Sequence, residues 1–241
     1  MLKTNSYSEV VPKIMEEKGR EQIARQIASI IKFHTKKSDR AMLLDIGCST
    51  GVVTKHLSQY FKYSVGIDAD ESAIRKAKKA YVKKNLEFLL MNAENTRYKD
   101  NYFDVIVLNQ VYEFVNNQKA LVNEIYRILK PGGICIVGAR NKLSLVEGQT
   151  GIPFIHFLPE KIALALDKRY YPATYLSLSE LKSLFAKFEI ENLTANIIKN
   201  SVKYNYISLA KHARLIRYIP RMVIDALMFL VPNYIFLCRK K

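Results

Sequence analysis

The feature that most constrains the fold is an alternation of short apolar runs with longer amphipathic segments through residues 41–140. Short apolar runs bounded by turn residues are typical of parallel strands that are covered on both faces. These runs lie at 41–47, 63–68, 86–93, 103–110 and 134–140. Between them lie segments with apolar residues at helical spacing, at 52–61, 71–84 and 116–130. Strands that alternate with helices predict βαβ units, so we expect a doubly wound α/β fold.

The flanking segments extend this pattern into one domain over residues 1–241. Residues 1–40 form an N-terminal segment in which the apolar spacing predicts a helix over 13–35. Two irregular stretches, 141–177 and 200–231, are predicted to be inserts or a lid on the substrate side. A helix at 177–188, an alternating strand at 188–199 and a last strand at 233–240 complete the chain.

The charge balance predicts an anionic partner. The chain has 38 Lys and Arg against 22 Asp and Glu, a formal net charge of +16. Nucleic acid, an anionic membrane and a phosphorylated substrate all fit such a charge. The three cysteines and four histidines lack metal-ligand spacing, so we expect no metal. The first 22 residues contain no apolar core of the length that a secretory signal needs, and we expect a cytoplasmic protein.

The turn after the first predicted strand, Gly47-Cys48-Ser49-Thr50-Gly51, fits more than one kind of site. It matches the G-x-S-x-G elbow of serine hydrolases, but that elbow follows several strands and an oxyanion loop, whereas this turn follows the first strand. It also lies where a dinucleotide fold carries G-x-G-x-x-G, but two of those three glycines are absent. A glycine-rich turn that cradles another nucleotide is the interpretation that these residues favour.

The stretch Asp45-Ile46-Gly47-Cys48-Ser49-Thr50-Gly51 resembles the first motif of the class I S-adenosylmethionine-dependent methyltransferases, an acid followed by G-x-G-x-G. Serine replaces the middle glycine. Three further segments resemble motifs of that family in the same order, and "YEFVNNQKALVNEIYRILKPGG" resembles its fourth helix and the following turn, with Phe114 where a histidine is common. The resemblance implies a Rossmann-like, mostly parallel seven-stranded sheet with its last strand antiparallel at the edge.

The resemblance also implies S-adenosyl-L-methionine as cofactor and a set of residues that bind it. Asp68 follows Asp45 by 23 residues, at the end of the second strand, where a carboxylate accepts hydrogen bonds from ribose hydroxyls. The loop after the third strand corresponds to the adenine contact, and the end of the fourth strand lies beside the methyl donor. The cofactor-binding candidates are Asp45, Gly47, Ser49, Gly51, Asp68, Ala69, Asn92, Ala93, Glu94 and Asn109.

No general base is evident from the sequence. Methyl transfer from a sulfonium requires a base only when the acceptor group is weakly acidic. The catalytic candidates come from the end of the fourth strand and from the first insert, and are Tyr112, Glu113, Glu147 and His156. His156 lies in an apolar stretch and is equally explained as a packed structural histidine. Arg140 and Tyr171 are candidates for contact with an anionic substrate or simply line the insert.

Two features of nucleic-acid methyltransferases are missing from the sequence, and this narrows the class of methyl acceptor. The family's base N-methyltransferases carry Asn or Asp, two prolines and an aromatic residue after the fourth strand, whereas this chain has Asn109-Gln110-Val111-Tyr112. Neither Cys48 nor Cys135 is placed as the nucleophile that pyrimidine C5 methylation needs. We therefore expect methylation of an oxygen, carbon or nitrogen of a small-molecule, lipid-linked or saccharide intermediate. An RNA methyltransferase that uses the basic surface, and a catalytically inactive protein of this fold, are the alternatives.

Residues 211–231 combine basic and apolar side chains in a way that is typical of a helix in a membrane interface. Cations and apolar residues fall on different helical faces: Lys211, Arg214, Arg217 and Arg221 against Leu215, Ile216, Ile219, Met222 and Val223. The apolar run from Met222 is divided by Pro232, and a membrane span needs about 20 apolar residues, so we expect no transmembrane helix. Peripheral membrane contact and a core helix over 222–231 are both consistent with this segment.

Overall fold

A computed structural model describes residues 17–35 and 40–241 of the chain. It contains one seven-stranded sheet in the order β3-β2-β1-β4-β5-β7-β6. The strands are β1 Met42–Ile46, β2 Tyr63–Asp68, β3 Leu86–Leu90, β4 Phe103–Asn109, β5 Leu129–Arg140, β6 Glu189–Asn192 and β7 Asn233–Arg239. β1 to β5 run parallel to one another, and β7 is antiparallel to both of its neighbours. The predicted doubly wound, mostly parallel sheet with an antiparallel last strand is confirmed.

Helices cover both faces of the sheet, which is why the strands read as continuous apolar runs. The helices are α1 Glu17–His34, α2 Val52–Leu57, α3 Glu71–Ala80, α4 Gln118–Ile128, α5 Glu160–Leu166, α6 Leu178–Leu184, α7 Thr194–Lys199, α8 Ile207–Ala210, α9 Ala213–Ile216 and α10 Arg221–Ala226. On one face, α1 and α2 pack Ile27 and Leu57 against Leu43. On the other, α4 and α6 pack Ile125 and Leu181 into the main core. The predicted helix over 13–35 begins within the described residues at Glu17, and positions 13–16 lie outside them.

The order of the strands creates a crevice between β1 and β4. β1 pairs with β2 on one side and with β4 on the other. The connection that follows β1 leads to β2, and the connection that follows β4 leads to β5, so the two connections go to opposite sides. In open α/β sheets, ligands bind at such a switch point, beyond the carboxyl ends of the strands. The turn after β1 and the segment after β4 therefore face each other where a ligand is expected.

Two predictions about the last strands are wrong in part. β7 lies between β5 and β6 and is not at the sheet edge, which β6 occupies. The alternating segment 188–199 is a strand only as far as Asn192, and α7 follows it. The Asn192 Oδ1 accepts the backbone N–H of Thr194 at 3.0 Å, which turns the chain out of the strand. Similarly, the helix predicted over 71–84 ends at Ala80.

The second insert is less regular than the sequence predicts. Residues 211–231 do not form one amphipathic helix, because the chain leaves α9 at Ile216 and Pro220 precedes the separate helix α10. The predicted core helix over 222–231 is also wrong, since only Ile224 and Met228 of that range are buried. Among the described residues, none of the helices has both the length and the apolar character needed to span a bilayer.

Candidate active site

The turn between β1 and α2 adopts a conformation that favours glycine. The backbone φ is +72° at Gly47 and +81° at Gly51, in the left-handed region. A Cβ atom on Gly47 would lie 2.2 Å from Cγ2 of Val111, which follows β4. The turn is thus both left-handed and in close contact with the next strand end across the crevice. Ser49, the position where the family motif has glycine, also has a positive φ of 49°.

Asp68 joins this turn to the end of β2. Its Oδ2 accepts the backbone N–H of Ser49 at 2.7 Å, and its Oδ1 accepts that of Asp70 at 2.9 Å. Burial raises the pKa of Asp68, while these two hydrogen bonds act in the opposite direction. The backbone N–H of Ala69 also donates to this carboxylate. A carboxylate has about four lone-pair sites, so three backbone donors leave room for a further donor. The structure therefore brings Gly47, Ser49, Gly51 and Asp68 together, as predicted from their spacing.

Asp45 lies beneath the turn. Its carboxyl group is buried, and Oδ2 accepts the hydroxyl of Thr54 in α2 at 2.6 Å. Burial raises the pKa of Asp45 to about 7, with the Thr54 hydrogen bond opposing that shift. Because Thr54 is fully buried, this contact fixes the direction in which α2 leaves the turn. Cofactor contact by Asp45 stays a prediction.

The loop after β3 is held by its own polar side chains. Oδ1 of Asn92 accepts the backbone N–H of Glu94 at 2.9 Å. Oε1 of Glu94 accepts the N–H groups of Asn116 and Asn117, at 2.9 and 3.0 Å, immediately before α4. Glu94 thus ties this loop, with Ala93 in it, to the segment after β4. Adenine recognition by the loop stays a prediction.

The end of β4 is shaped by Asn109 and Gln110. A Cβ atom on Gly138 would lie 2.0 Å from the Asn109 Oδ1, so the Asn109 side chain lies directly over β5. Gln110 has a positive φ of 57°, and its N–H donates to the carbonyl of Gly138 at 2.7 Å. This sharp turn places Val111 against Gly47. Sequence reasoning did not single out Gln110, because glutamine gives no signal for a left-handed residue.

Three of the four catalytic candidates are engaged in other contacts. The Tyr112 hydroxyl donates to the carbonyl of Arg140 at 3.0 Å and accepts the N–H of Leu176 at 3.1 Å, and burial raises its pKa. The Glu147 carboxylate accepts two backbone N–H groups and the hydroxyls of Thr150 and Tyr175. His156 is half-buried with Nε2 3.2 Å from the carbonyl of Lys142, so the packed interpretation fits its surroundings.

Glu113 differs from the other candidates because neither of its carboxylate oxygens has a hydrogen-bond partner in another described residue. The side chain is fully buried, and Oε1 lies 3.6 Å from Nε of Arg140. Burial raises the pKa of Glu113 to about 7, and the Arg140 charge only partly offsets this. On the other side, Nη1 of Arg140 lies 3.5 Å from Oε1 of Glu147.

Arg140 thus joins three segments that sequence reasoning considered separately: the end of β4, the end of β5 and the first insert. No periodicity links positions 113, 140 and 147, so only the fold could show the cluster. Tyr171 of the first insert contacts Phe114 edge to face, with ring centroids 5.6 Å apart. Burial, followed by the nearby Asp70 carboxylate, raises the pKa of Tyr171. The first insert therefore extends from β5 across to the segment beyond Asp68.

Two other observations bear on where a ligand would bind. A cavity of about 950 Å³ opens at the opposite edge of the sheet, lined by Phe33, Asp104, Lys130 and Arg239 among others. It lies at the amino ends of the strands, which is not where this type of sheet binds nucleotides. Over residues 17–35 and 40–241, no group of three or more His, Cys, Asp or Glu side chains is arranged to hold a metal ion.

Comparison with known proteins identifies the family. The family described as "Methyltransferase domain" matches residues 44–137. The chain is 30 % identical over 186 residues to the ubiquinone biosynthesis O-methyltransferase of Pelagibacter ubique, covering 73 % of this chain and 76 % of that protein. The structure resembles that of the plantazolicin methyltransferase BpumL in complex with SAH, with a TM-score of 0.66, 19 % identity and coverage of 98 % and 89 %. The chain belongs to the class I S-adenosylmethionine-dependent methyltransferases, as its motifs predicted.

The similarity to a second relative covers a smaller part of both chains. The chain is 30 % identical over 117 residues to the malonyl-acyl-carrier protein O-methyltransferase of Bacillus cereus, which is 48 % of this chain and 43 % of that protein. The chain therefore spans less than half the length of that relative. The match to the family, over residues 44–137, covers β2 to β4 and most of β1 and β5, and ends before the first insert.

Proposed function

We propose that this chain transfers the methyl group of S-adenosylmethionine to a hydroxyl oxygen of a small, lipid-linked acceptor. The observation that carries the proposal is the pairing of the left-handed turn at Gly47–Gly51 with the Asp68 carboxylate. Both lie at the switch point of the sheet, where this family binds its cofactor.

The residues present fit the cofactor. Gly47 and Gly51 leave the turn without side chains, so a ligand can approach the backbone closely. After its hydrogen bonds from the backbone N–H groups of Ser49, Ala69 and Asp70, the Asp68 carboxylate keeps acceptor capacity for a ribose hydroxyl. When bound, S-adenosylmethionine supplies a methyl group on a sulfonium, which is already an activated electrophile.

The chain must then align the acceptor and exclude water. Well-aligned reactants can lower a barrier by about 7 to 11 kcal/mol. The first insert covers the ends of β4 and β5 through the Arg140 cluster, and Tyr171 reaches toward Asp70. Glu113 is our candidate to take the hydroxyl proton, because a carboxylate with a pKa near 7 and no hydrogen-bond donor from another described residue suits that task. Since it is covered, an acceptor reaches it only when the first insert moves.

Two observations support the choice of acceptor. Both relatives named above are O-methyltransferases, which favours oxygen over the carbon and nitrogen acceptors. Exposed apolar side chains are concentrated in the two inserts that border the site, which favours a lipid-linked acceptor over a saccharide. Peripheral membrane contact through residues 211–231 is a separate hypothesis, on which the cofactor site does not depend. We keep RNA methylation and cofactor binding without catalysis as the alternatives to be tested.

Calorimetric titration with S-adenosylmethionine and S-adenosylhomocysteine tests the cofactor site. We expect binding by the wild type and by Asp100→Ala, a matched control in which an exposed aspartate ion-paired to Arg127 is removed. Asp68→Ala should lose most of the affinity, because it removes the carboxylate that accepts the Ser49 N–H in the turn. Equal affinities for Asp68→Ala and Asp100→Ala would refute the assignment.

Transfer of a radioactive methyl group into cell extracts tests the acceptor. Label that partitions into the organic phase and survives nuclease treatment supports the lipid-linked acceptor. Label that is released by nuclease supports the RNA alternative. Cofactor binding without transfer to either fraction supports the inactive alternative.

A further inference from the structure

Exposed apolar side chains are unevenly distributed over the molecule. Of the 24 large apolar side chains that are exposed among the described residues, nine lie in 141–177 and ten in 200–231. Large contiguous apolar patches are uncommon on soluble monomers and mark interaction surfaces. The two inserts therefore carry an exposed apolar surface of the kind that marks an interaction site.

The two inserts leave the sheet at the same edge. The first insert begins after Arg140, and the second ends before Asn233, which is the register partner of Arg140. The Asn141 Nδ2 donates to the carbonyls of Phe229 and Val231, at 2.7 and 2.8 Å. These hydrogen bonds join the two segments that carry Leu143 and Phe229, whose side chains are both about half exposed. This edge is also the one that carries the cofactor residues.

The second insert is attached to the core by few side chains. Only Ile224 and Met228 are buried in 211–230, whereas Leu215, Tyr218 and Met222 are 72, 75 and 77 % exposed. In the first insert, α5 buries Ala163 alone and leaves Ile162 half exposed. Helices that expose most of their apolar side chains lack the packing that stabilises a surface helix in water.

Cations are interspersed with these apolar side chains. Lys211, Arg214, Arg217 and Arg221 are all exposed. The only acidic residue in 200–231 is Asp225, which is paired with Arg221 at 3.0 Å. A symmetric dimer through this face would bring the cations of one copy against those of the other, which is unfavourable. An anionic surface with an apolar interior complements both the charges and the apolar side chains.

We propose that the first insert and residues 211–231 of the second together form one docking face for an anionic phospholipid bilayer, with the cofactor edge of the sheet turned toward the membrane. The start of the second insert is not part of this face, because Lys203 and Asn205 line the cavity at the opposite edge. The apolar side chains of both inserts enter the interface, and the four cations contact lipid phosphates. The contact is peripheral. The inference rests on the proposed function in one respect: docking gives a lipid-linked acceptor access to the site beside Glu113.

Co-sedimentation with lipid vesicles tests the docking face. The full chain is mixed with vesicles of phosphatidylcholine alone, or with roughly one-third phosphatidylglycerol, at about 0.1 and 0.5 M salt. We expect binding to the anionic vesicles only, and weaker binding at the higher salt. Met222→Glu and Ile162→Glu, one in each insert, should each reduce the bound fraction strongly. Arg217→Glu should weaken partitioning by about fivefold or more.

Matched controls lie at the opposite end of the sheet. Val82→Glu replaces a side chain that is 88 % exposed, and Lys79→Glu reverses an exposed cation on α3. Both should bind vesicles like the wild type. No vesicle binding by the wild type, or equal losses for the controls, overturns the proposal. So does a wild-type dimer that Met222→Glu converts to monomer, because the face would then be occupied by a second copy.

Binding of S-adenosylhomocysteine, measured on the same preparations, separates the two proposals. Vesicle binding without cofactor binding leaves the docking face intact and refutes the proposed function. Cofactor binding without vesicle binding refutes the docking face and leaves the proposed function intact. Retained cofactor binding by Met222→Glu and Ile162→Glu would also show that these variants are folded.

Discussion

At the scale of single residues, the turn that we propose to bind the cofactor depends on backbone conformations that few side chains tolerate. Gly47, Ser49 and Gly51 all have positive φ within five residues. A left-handed conformation costs a residue with a Cβ atom about 1 to 2 kcal/mol. Ser49 bears that cost in this chain, and its N–H is held by the Asp68 carboxylate. The hydrogen bond thus stabilises the one strained position that does not have glycine.

Alanine substitutions at Gly47 and Gly132 distinguish the cost of a left-handed backbone from the cost of a steric clash at the new Cβ atom. The two glycines have φ of 72° and 73°, but a Cβ atom would meet Val111 at the first and nothing within 4 Å at the second. Gly132→Ala should lower the free energy of unfolding by about 1 kcal/mol. Gly47→Ala should lower it by about 2 to 4 kcal/mol and weaken cofactor binding, because Val111 must also move. Chemical denaturation measures both, and equal losses would contradict the crowding argument.

Glu113 should make stability depend on pH. Burial raises the pKa of its carboxyl group from the ordinary 4.5 to about 7. Between these values the folded chain holds a proton that the unfolded chain releases, so stability falls as the pH rises. The free energy of unfolding of the wild type, minus that of Glu113→Gln, should fall by about 1.4 kcal/mol per pH unit from pH 5 to pH 7. Denaturation curves at several pH values test this, and a constant difference would contradict it.

The site residues that could be predicted from the sequence are those that occupy a fixed position in a motif. Gly47, Gly51 and Asp68 follow strand ends at characteristic spacing, so their meeting at one edge was predictable. The Glu113–Arg140–Glu147 cluster was not, since it depends on how the first insert folds back over β4 and β5. For the same reason the sequence could not rank Glu113 above Tyr112, whose hydroxyl proves to be engaged on both sides.

At the scale of elements, the first insert is ordered by a single carboxylate. Glu147 accepts the N–H groups of Gln149 and Thr150, both at 2.8 Å, and the Tyr175 hydroxyl at 2.9 Å. These contacts join the beginning of the insert to its end. A buried acceptor with several donors is costly to replace by a group that also donates.

Glu147→Gln should therefore loosen the insert while leaving the sheet intact. An amide in place of the carboxylate directs N–H groups at existing donors, which we expect to cost about 2 to 4 kcal/mol locally. Hydrogen exchange should show faster exchange in 141–177 and unchanged protection in β1 and β4. Glu160→Gln, at an exposed position in the same insert, is the control. Equal protection of the insert in both variants would show that Glu147 does not order it.

The positions of the parallel strands could be predicted from the sequence, whereas the segments that follow them in the chain were predicted less well. The strands β1 to β5 are apolar because both of their faces are covered, and that pattern is local. The segment after Asn192 alternates like a strand but folds as α7, since Leu193, Ala195 and Ile197 are buried against the sheet as a helix. Alternation alone cannot distinguish these outcomes in so short a segment.

At the scale of the whole molecule, charge and apolar surface are arranged on different parts of one fold. The net charge of +16 spreads over the chain, but only the second insert combines several cations with exposed apolar side chains and almost no acid. Composition alone therefore predicted an anionic partner without its chemical class. The placement of the first insert and of residues 211–231 near the cofactor edge is what favours a lipid surface over a nucleic acid.

The placement of β7 between β5 and β6 has a consequence for how the chain is made. β6 pairs with β7 and with no other strand among the described residues, yet 40 residues separate the end of β6 from the start of β7. During synthesis the five parallel strands can assemble first, while β6 has no partner until β7 leaves the ribosome. Until then the open edge of β5 and the apolar inserts are exposed together, which makes this nascent stage the one most dependent on chaperones.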